Sequence, residues 1–361
     1  MTRRTRVVVA AAAAAAVLAA GVLLRPPTPS LSPEATGDAE LATWIAEHLG
    51  DGVRDEIVAA VVTPEGVRFA GFGADERTEV EIGSVTKTMT ALLLAQSAAS
   101  GTVALEDRAA DHADVGGFDG TLEELATHTS GLPRLSSGLG TIGRSLLSQL
   151  RGTDPYAGYS ADDVLRHAAD ASSVDEPFLY SNLGAAVLGQ TLARAEGSDY
   201  ADLVQERILT PLGMADSRVP TTADGLGPDA PTGYAASGRS VDAWAMGGYA
   251  PAGGVRSTAA DMARYAQALL TDDPALGVAA DEVLAPRHDA GGSDRVGLAW
   301  FTSEAADGRE TTWHDGGTSG YSTMLAMDRE RGVAVFVNGS TATSVDDVGL
   351  DLLAHVLEEG S

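Results

Sequence analysis

The stretch EIGSVTKTMTALLLAQ, residues 81–96, contains the only lysine of a chain with 24 basic residues, all the others being arginine. Arginine stays protonated at any working pH, whereas a lysine amine can lose its proton when its surroundings lower its pKa. Ser84 lies three residues before Lys87, and residues at this spacing share one face of a helix. A neutral amine beside a hydroxyl can take its proton and create a serine nucleophile. We therefore interpret Ser84 and Lys87 as a candidate nucleophile and base.

Two further stretches carry residues suited to the same chemistry. In LYSNLG, Tyr180 and Asn182 are two residues apart, which on extended backbone directs both side chains to the same side. In WHDGGTSGY, His314 precedes Gly316 and Gly317 at the end of a predicted strand, where glycines leave room for a ligand against the backbone. Each stretch taken alone also has a structural explanation, as a helix N-cap beside a packed tyrosine or as a hairpin turn.

The elements that must position these candidates follow from hydrophobic periodicity and turn residues. DAELATWIAEHL (38–49) has apolar residues at helical spacing, and EIVAAVVTPEGVRFAGFG (56–73) predicts two strands around a Pro-Glu-Gly turn. A helix is expected to start at Gly83 and Ser84 and to end near Gly101.

The rest of the chain completes an α+β pattern. The middle, about residues 105–230, is predicted to be mostly helical, and strands return in TTWHDG, YSTMLAMD and GVAVFVNG before a final helix at about 344–358. Neighbouring strands joined by tight turns indicate an antiparallel sheet. We predict an antiparallel sheet flanked by helices, formed by about 38–104 and 231–361, with an inserted mostly helical lobe. The cleft between the two parts is the expected position of an active site.

The N-terminus is typical of an exported protein. MTRRTR is basic, and residues 7–24 contain no charge. Residues 1–25 are interpreted as a cleaved signal peptide or as an uncleaved N-terminal membrane anchor, because the apolar run almost reaches spanning length. Residues 26–37 form a Pro/Ser/Thr linker, and 38–361 form the folded domain. Either interpretation places the domain outside the cytoplasm, secreted or at the cell surface.

Composition excludes several function classes. The formal net charge of −27 repels phosphate backbones, so no nucleic-acid partner is expected. The absence of cysteine excludes disulfides and thiolate catalysis. The histidines show no ligand spacing, so we expect no metal and no cofactor. His128, in THTSG, is expected to shape a loop.

Together, SVTK, YSN and HDG resemble the three motifs of the penicillin-recognising serine hydrolases. That family includes class C β-lactamases, D-Ala-D-Ala carboxypeptidases, D-aminopeptidases and related esterases. The resemblance covers nearly all of the chain after residue 38, and the motifs keep the family's order and similar separations. The stretches LATHTSGLP (125–133), ILTPLGMADS (208–217) and AGGVRSTAADMARY (252–265) are also similar to the family. The fold it implies is β-lactamase/transpeptidase-like.

The resemblance also implies roles for the candidate residues. Ser84 attacks a carbonyl and becomes acylated, while Lys87 and Tyr180 accept its proton and Tyr180 passes a proton to the leaving group. Asn182 would hold Lys87 and the substrate amide. The backbone N–H groups of Ser84 and Gly317 would form the oxyanion hole.

The third motif departs from the usual Lys-Thr-Gly. Here His314 would line the site and help to hold a substrate carboxylate, and Asp315 adds a negative charge beside it. We expect weaker binding of anionic β-lactams and a stronger pH dependence than with lysine. A peptidoglycan-directed D-alanyl-D-alanine carboxypeptidase-like peptidase is therefore predicted. An esterase or β-lactamase of the same family, acting on a small molecule, stays open, as does a catalytically silent binding domain.

Overall fold

The computed structural model describes residues 28–136, 139–228 and 230–360. The predicted signal peptide or anchor, residues 1–25, lies outside these described residues. Within the described ranges, no helix is both long and apolar enough to cross a membrane.

In the part of the chain that the structure describes, nine strands form one large sheet, and every neighbouring pair in it is antiparallel. The strand order is β1-β3-β2-β13-β12-β11-β10-β9-β8. Two small ribbons, β4 with β7 and β5 with β6, lie outside it. The strands are β1 (Ala35–Gly37), β2 (Ile57–Thr63), β3 (Gly66–Phe72), β4 (Val80–Glu81), β5 (Gly233–Tyr234), β6 (Ser240–Val241), β7 (Arg256–Ser257), β8 (His288–Gly291), β9 (Asp294–Val296), β10 (Phe301–Glu304), β11 (Glu310–Gly317), β12 (Ser322–Asp328) and β13 (Val333–Gly339).

Helices cover both faces of this sheet and build the region between its two sets of strands. They are α1 (Ala39–His48), α2 (Thr86–Ala99), α3 (Leu122–Ala126), α4 (Leu139–Arg151), α5 (Ala161–Ala169), α6 (Asn182–Glu196), α7 (Tyr200–Val204), α8 (Ala223–Leu226), α9 (Ala259–Thr271), α10 (Ala280–Leu284) and α11 (Asp346–Glu359). Between residues 105 and 230 the named elements are helices and turns. The predicted α+β class, with its antiparallel sheet, is confirmed.

The interior strand β2 shows how the sequence specifies two covered faces. Its residues IVAAVVT are buried apart from the last, Thr63. Ile57 and Val61 pack with α1 and α11 on one face, whereas Val58 and Val62 pack with the helices of the other. A strand buried on both faces reads as a continuous apolar run rather than an alternating one.

A buried ion pair fixes the short ribbon that leads to the Ser84 turn. Arg256 on β7 donates to Glu81 on β4 at 2.8 Å and to Glu79 at 2.6 Å, and both Arg256 and Glu81 are buried. The Glu81 carboxylate also accepts the Trp244 N–H at 2.7 Å. A buried pair of charges with additional hydrogen bonds holds its two elements in one arrangement.

Arg256→Met is therefore expected to lower the free energy of unfolding by about 3–5 kcal/mol, because Glu81 would stay buried without its counter-charge. Arg77→Met, which removes the exposed pair between Arg77 and Asp216, is the matched control and should cost about 1 kcal/mol or less. Equilibrium unfolding in urea measures both variants. Equal losses of unfolding free energy in the two variants would show that the buried Arg256 pair contributes no more to stability than an exposed ion pair does.

Candidate active site

Ser84 lies in a tight turn between β4 and α2. A 3-10 turn, Gly83–Val85, leads directly into α2, so the helix expected to start at Gly83 begins as this tighter turn. Gly83 has φ +51°, and a Cβ there would lie 2.7 Å from the Gly317 backbone nitrogen. Glycine at 83 thus lets the nucleophile turn approach the end of β11. Ser84 faces a cavity of about 410 Å³.

Lys87 points from the first turn of α2 to Ser84. Its Nζ lies 2.9 Å from Ser84 Oγ and donates to the Ala252 carbonyl oxygen at 2.7 Å. The side chain is 1% exposed, and burial lowers the pKa of Lys87 to about 7. Close to neutral pH, a large fraction of the amine is therefore unprotonated. In that form one N–H remains on Ala252, and the lone pair is available for the Ser84 proton.

Two charged side chains act on Lys87 in opposite directions. Asp315 raises the pKa of Lys87, and Arg134 lowers it, although burial has the largest effect. Two buried histidines, His128 and His314, also lie close. Burial holds the pKa of His128 well below its usual value and lowers that of His314 to about 4, so both are neutral at pH 7. The charge around the base is thus set mainly by Asp315 and Arg134.

Asp315→Asn should therefore move the acidic limb of the kcat/KM pH profile to lower pH. In the wild type the limb is expected near pH 7, the pKa of the base. Removing the carboxylate lowers the Lys87 pKa further, so the neutral amine persists into more acidic solution. Arg134→Gln should move the limb upward, since it removes a cation that lowers the same pKa. Hydrolysis of p-nitrophenyl acetate across roughly pH 5 to 9 measures both shifts. Limbs that stay in place in both variants would mean that Lys87 is not the titrating base.

Tyr180 completes the group around Ser84. Burial raises the pKa of the Tyr180 hydroxyl, while a hydrogen bond with Ser84 acts to lower it. Lys87 Nζ lies 4.9 Å from the centre of the Tyr180 ring, and the His128 ring packs 4.5 Å from the same ring, centre to centre. A tyrosine with a raised pKa remains protonated at pH 7. Its resting state is therefore suited to donating a proton, while Lys87 is the stronger candidate for accepting one.

His128 shapes the loop beside Tyr180. It has φ +61°, is buried, and accepts the Ser181 N–H on Nδ1 at 3.3 Å. This hydrogen bond joins its loop to the turn that precedes α6. The predicted loop-shaping role thus agrees with its position, and its ring also supports Tyr180.

Asn182 lines the cavity, but it does not hold Lys87. Ser181 is the N-cap of α6, accepting the Gly184 N–H at 2.8 Å, and Asn182 is the first helical residue. Asn182 Nδ2 donates to the Tyr156 hydroxyl at 3.2 Å, while its Oδ1 is buried without a hydrogen-bond partner among the described residues. The expectation that Asn182 binds Lys87 is therefore wrong for this structure, since Ala252 occupies that role. Its place beside the cavity remains compatible with binding a substrate amide.

The end of β11 lies against the nucleophile turn, as an oxyanion hole requires. A Cβ on Gly316 would collide with the Ile82 carbonyl oxygen, so glycine is needed for this approach. Thr318 N–H bonds to the Tyr321 carbonyl, and hydrogen-bonded pairs alternate along an antiparallel ladder. The neighbouring Gly317 N–H accordingly points away from β12, and its nitrogen lies next to the Ser84 turn, where a Cβ on Gly83 would come within 2.7 Å of it. Gly317 lines the cavity, and its own Cβ position is open.

His314 does not occupy the place expected of it. Its side chain is 0% exposed and is not among the residues that line the cavity. Nδ1 donates to the Asp315 carbonyl oxygen at 2.5 Å, and Nε2 is buried without a partner among the described residues. Since its pKa is lowered to about 4, it carries no charge at pH 7. The expectation that His314 lines the cavity is therefore wrong for this structure, although its ring packs 6.4 Å from that of Tyr180, centre to centre. Its binding of a substrate carboxylate stays a prediction.

The structure adds functional residues that the motifs did not include. Ala252 supplies the carbonyl for Lys87, and Arg134, Tyr156, Trp244 and Thr318 line the cavity. Two of them had signals in the sequence: Ala252 opens the family-like stretch AGGVRST, and Arg134 directly follows LATHTSGLP. Nothing in the sequence around Tyr156 or Trp244 marked them, because they reach the cavity only through the packing of the lobe.

The site combines a serine with a buried lysine and a protonated tyrosine on an α+β scaffold. This combination is typical of serine hydrolases that react through an active-site serine. A family model described as Beta-lactamase matches residues 41–358, and the chain belongs to this family. The family inferred from the three motifs is thereby confirmed.

Relatives and solved structures agree with this assignment. The chain is similar to the D-alanyl-D-alanine-carboxypeptidase/endopeptidase AmpH of Escherichia coli (strain K12), with 30% identity over 279 residues that cover 72% of this chain and 70% of the relative. In structure it is similar to the octameric penicillin-binding protein homologue from Pyrococcus abyssi, with a TM-score of 0.70, 23% identity, and coverage of 84% of this chain and 72% of the other. A beta-lactamase/D-alanine carboxypeptidase from Yersinia pestis gives a TM-score of 0.67, 24% identity, and coverage of 85% and 94%. The β-lactamase/transpeptidase fold is thus confirmed.

Proposed function

We propose that the protein is an exported D-alanyl-D-alanine carboxypeptidase-like peptidase that works through an acyl-enzyme on Ser84. The observation that carries the proposal is the 2.9 Å approach of Ser84 Oγ to a buried lysine with a pKa of about 7. Similarity to AmpH supports the peptidase activity. The basic N-terminus and the uncharged residues 7–24 support export, with the domain secreted or anchored at the cell surface.

In the acylation step, Ser84 Oγ attacks the substrate carbonyl carbon and gives its proton to Lys87 Nζ. Negative charge then develops on the carbonyl oxygen, where the N–H groups of Ser84 and Gly317 would stabilise it. The carbon–nitrogen bond breaks as Tyr180 gives its proton to the leaving amine, and Lys87 returns a proton to Tyr180. The protein is left as an ester on Ser84.

In the deacylation step, water replaces the departed amine. Lys87, neutral again, takes a proton from that water through Tyr180, and hydroxide attacks the ester carbonyl. The proton then returns to Ser84 Oγ as the ester bond breaks. The carboxylic acid product leaves, and the starting protonation states are restored.

The third motif favours an esterase of the same family as the second candidate. It offers a buried neutral His314 and the carboxylate of Asp315 where a lysine cation is usual. An uncharged ester needs no cation at that position. Anionic β-lactams should bind weakly there for the same reason.

The test uses the purified full-length protein with diacetyl-L-lysyl-D-alanyl-D-alanine, p-nitrophenyl acetate and benzylpenicillin in separate incubations. Release of D-alanine, together with a penicilloyl adduct on Ser84 found by peptide mass mapping, is the expected result. Ester turnover without D-alanine release would favour the esterase. Ser84→Ala is the control and should abolish every adduct and all turnover. If the wild-type protein hydrolyses none of the three compounds and is acylated by none of them, the proposal is overturned in favour of a silent binding domain.

A further inference from the structure

Arg134 is an exposed arginine that has no counter-charge among the described residues. Among the arginines of residues 28–136, 139–228 and 230–360, Arg134 and Arg151 are the two whose guanidinium makes neither an ion pair nor a hydrogen bond. Most of the described arginines pair with a carboxylate, as expected in a chain with 51 acidic and 24 basic residues. Because Arg134 is exposed, its guanidinium donors can bind an anion from solution.

The position of Arg134 is fixed relative to the catalytic group. Its carbonyl oxygen accepts the N–H groups of Asn182 at 3.1 Å and Leu183 at 3.3 Å, which ties its backbone to the first turn of α6. Its guanidinium lies 5.3 Å from the centre of the Tyr180 ring. Arg134 lines the same cavity as Ser84. Its charge is therefore presented close to the reacting atoms.

The charged side chains that line the cavity have opposite signs and lie on different elements. Among the described residues that line it, Arg134 is the one cation and Asp315 the one carboxylate. Asp315 lies on β11 with the third motif, whereas Arg134 precedes the second motif. His314 is neutral and buried, so it supplies no positive charge on the β11 side. An anionic group in the cavity is attracted toward Arg134 and repelled from Asp315.

We propose that Arg134 binds a carboxylate of the substrate, and that Asp315 keeps this carboxylate from the β11 side and so orients the substrate. The inference deepens the proposed function and rests on it. A planar guanidinium can bind a carboxylate through two parallel hydrogen bonds, which adds directional selectivity to charge. The protein's net charge of −27 repels anions at long range, so an anionic substrate needs such a local cation.

The test compares matched probes that differ in one carboxylate. N-benzoyl-D-alanyl thioglycolate carries the carboxylate on its leaving group. The thioester of N-benzoyl-D-alanine with 2-mercaptoethanol is its neutral counterpart. p-Nitrophenyl succinate carries it on the acyl half, and p-nitrophenyl butyrate is the neutral counterpart. Rates are measured well above the Lys87 pKa, at about pH 8.5, so that the loss of a neighbouring cation does not change the fraction of neutral base.

Arg134→Gln is expected to lower kcat/KM for one of the two anionic probes by roughly 10- to 100-fold, mostly through KM, while the neutral counterpart changes by less than about threefold. The anionic probe affected identifies the half of the substrate that Arg134 binds. Arg151→Gln is the control, because Arg151 also has no ion pair among the described residues and does not line this cavity. Asp315→Asn should improve kcat/KM for the same anionic probe.

Equal effects of Arg134→Gln on anionic and neutral probes, or no effect on any, would overturn the inference while leaving the proposed function in place. Wild-type protein that hydrolyses none of the four probes would count against the proposed function instead. In that case, calorimetric binding of N-benzoyl-D-alanine to the wild type and to Arg134→Gln decides the inference separately. Loss of binding in the variant supports it, and equal binding or no binding overturns it.

Discussion

Lys87→Arg should lower kcat/KM by roughly 10²- to 10⁴-fold, the usual contribution of a general base. The buried site lowers the pKa of the Lys87 amine to about 7, so the wild-type base is available near neutral pH. A guanidinium in the same place keeps its proton under all working conditions. It can still donate to Ala252 and Ser84, but it cannot accept the serine proton. Steady-state hydrolysis of p-nitrophenyl acetate measures the loss.

A larger, charged side chain could also disturb the core, so the experiment needs a second substitution. Lys87→Met has a similar length and no charge, and it should be as inactive as Lys87→Arg. Its thermal unfolding midpoint should stay close to that of the wild type, because burying a thioether costs less than burying an ammonium. Turnover close to wild type in either variant would exclude Lys87 as the base.

Gly316→Ala should reduce kcat by roughly 10²- to 10³-fold, the cost of losing one oxyanion donor. A methyl group at 316 would collide with the Ile82 carbonyl oxygen and lie 3.2 Å from the Ser84 backbone nitrogen. To relieve the collision, β11 must move away from the nucleophile turn. The N–H groups of Ser84 and Gly317 would then no longer converge on one oxygen.

Gly317→Ala provides the matched comparison, since a Cβ at that position contacts nothing within 4 Å. Its unfolding midpoint should equal that of the wild type, whereas Gly316→Ala should unfold at a lower temperature. Pre-steady-state acylation by p-nitrophenyl acetate separates the chemical step from deacylation. Rapid acylation in Gly316→Ala would mean that the approach of β11 to the turn does not set the oxyanion geometry.

Sequence reasoning succeeded where the relevant contacts are local. Ser84 and Lys87 are three residues apart, a spacing that places both on one face of a helical turn, and their side-chain atoms lie 2.9 Å apart. The strands and terminal helices were also predictable, because a continuous apolar run such as IVAAVVT indicates a buried strand. The start of the nucleophile helix was placed correctly, although its tighter first turn depends on the approach of β11.

Contacts between distant parts of the chain were not predictable in this way. The partner of Lys87 is a backbone carbonyl 165 residues away, and no side-chain pattern marks a carbonyl. The motif containing His314 suggested a charged ligand-binding group, but the charge of a histidine depends on its burial, which is a property of the assembled fold. For the same reason, the sequence alone could not show that Arg134 has no carboxylate partner in the part of the chain that the structure describes.

The pairing of β13 between β2 and β12 has a consequence for when the protein becomes active during its synthesis. This interior strand is made from residues 333–339, so the ribosome produces it long after the nucleophile turn. Asn338 on this strand donates to the Glu81 carbonyl oxygen at 3.0 Å, three residues before Ser84. A nascent chain therefore contains its nucleophile long before it contains the strand that holds the nucleophile turn in place. We therefore expect a chain that stops before residue 333 to lose this strand and its activity together.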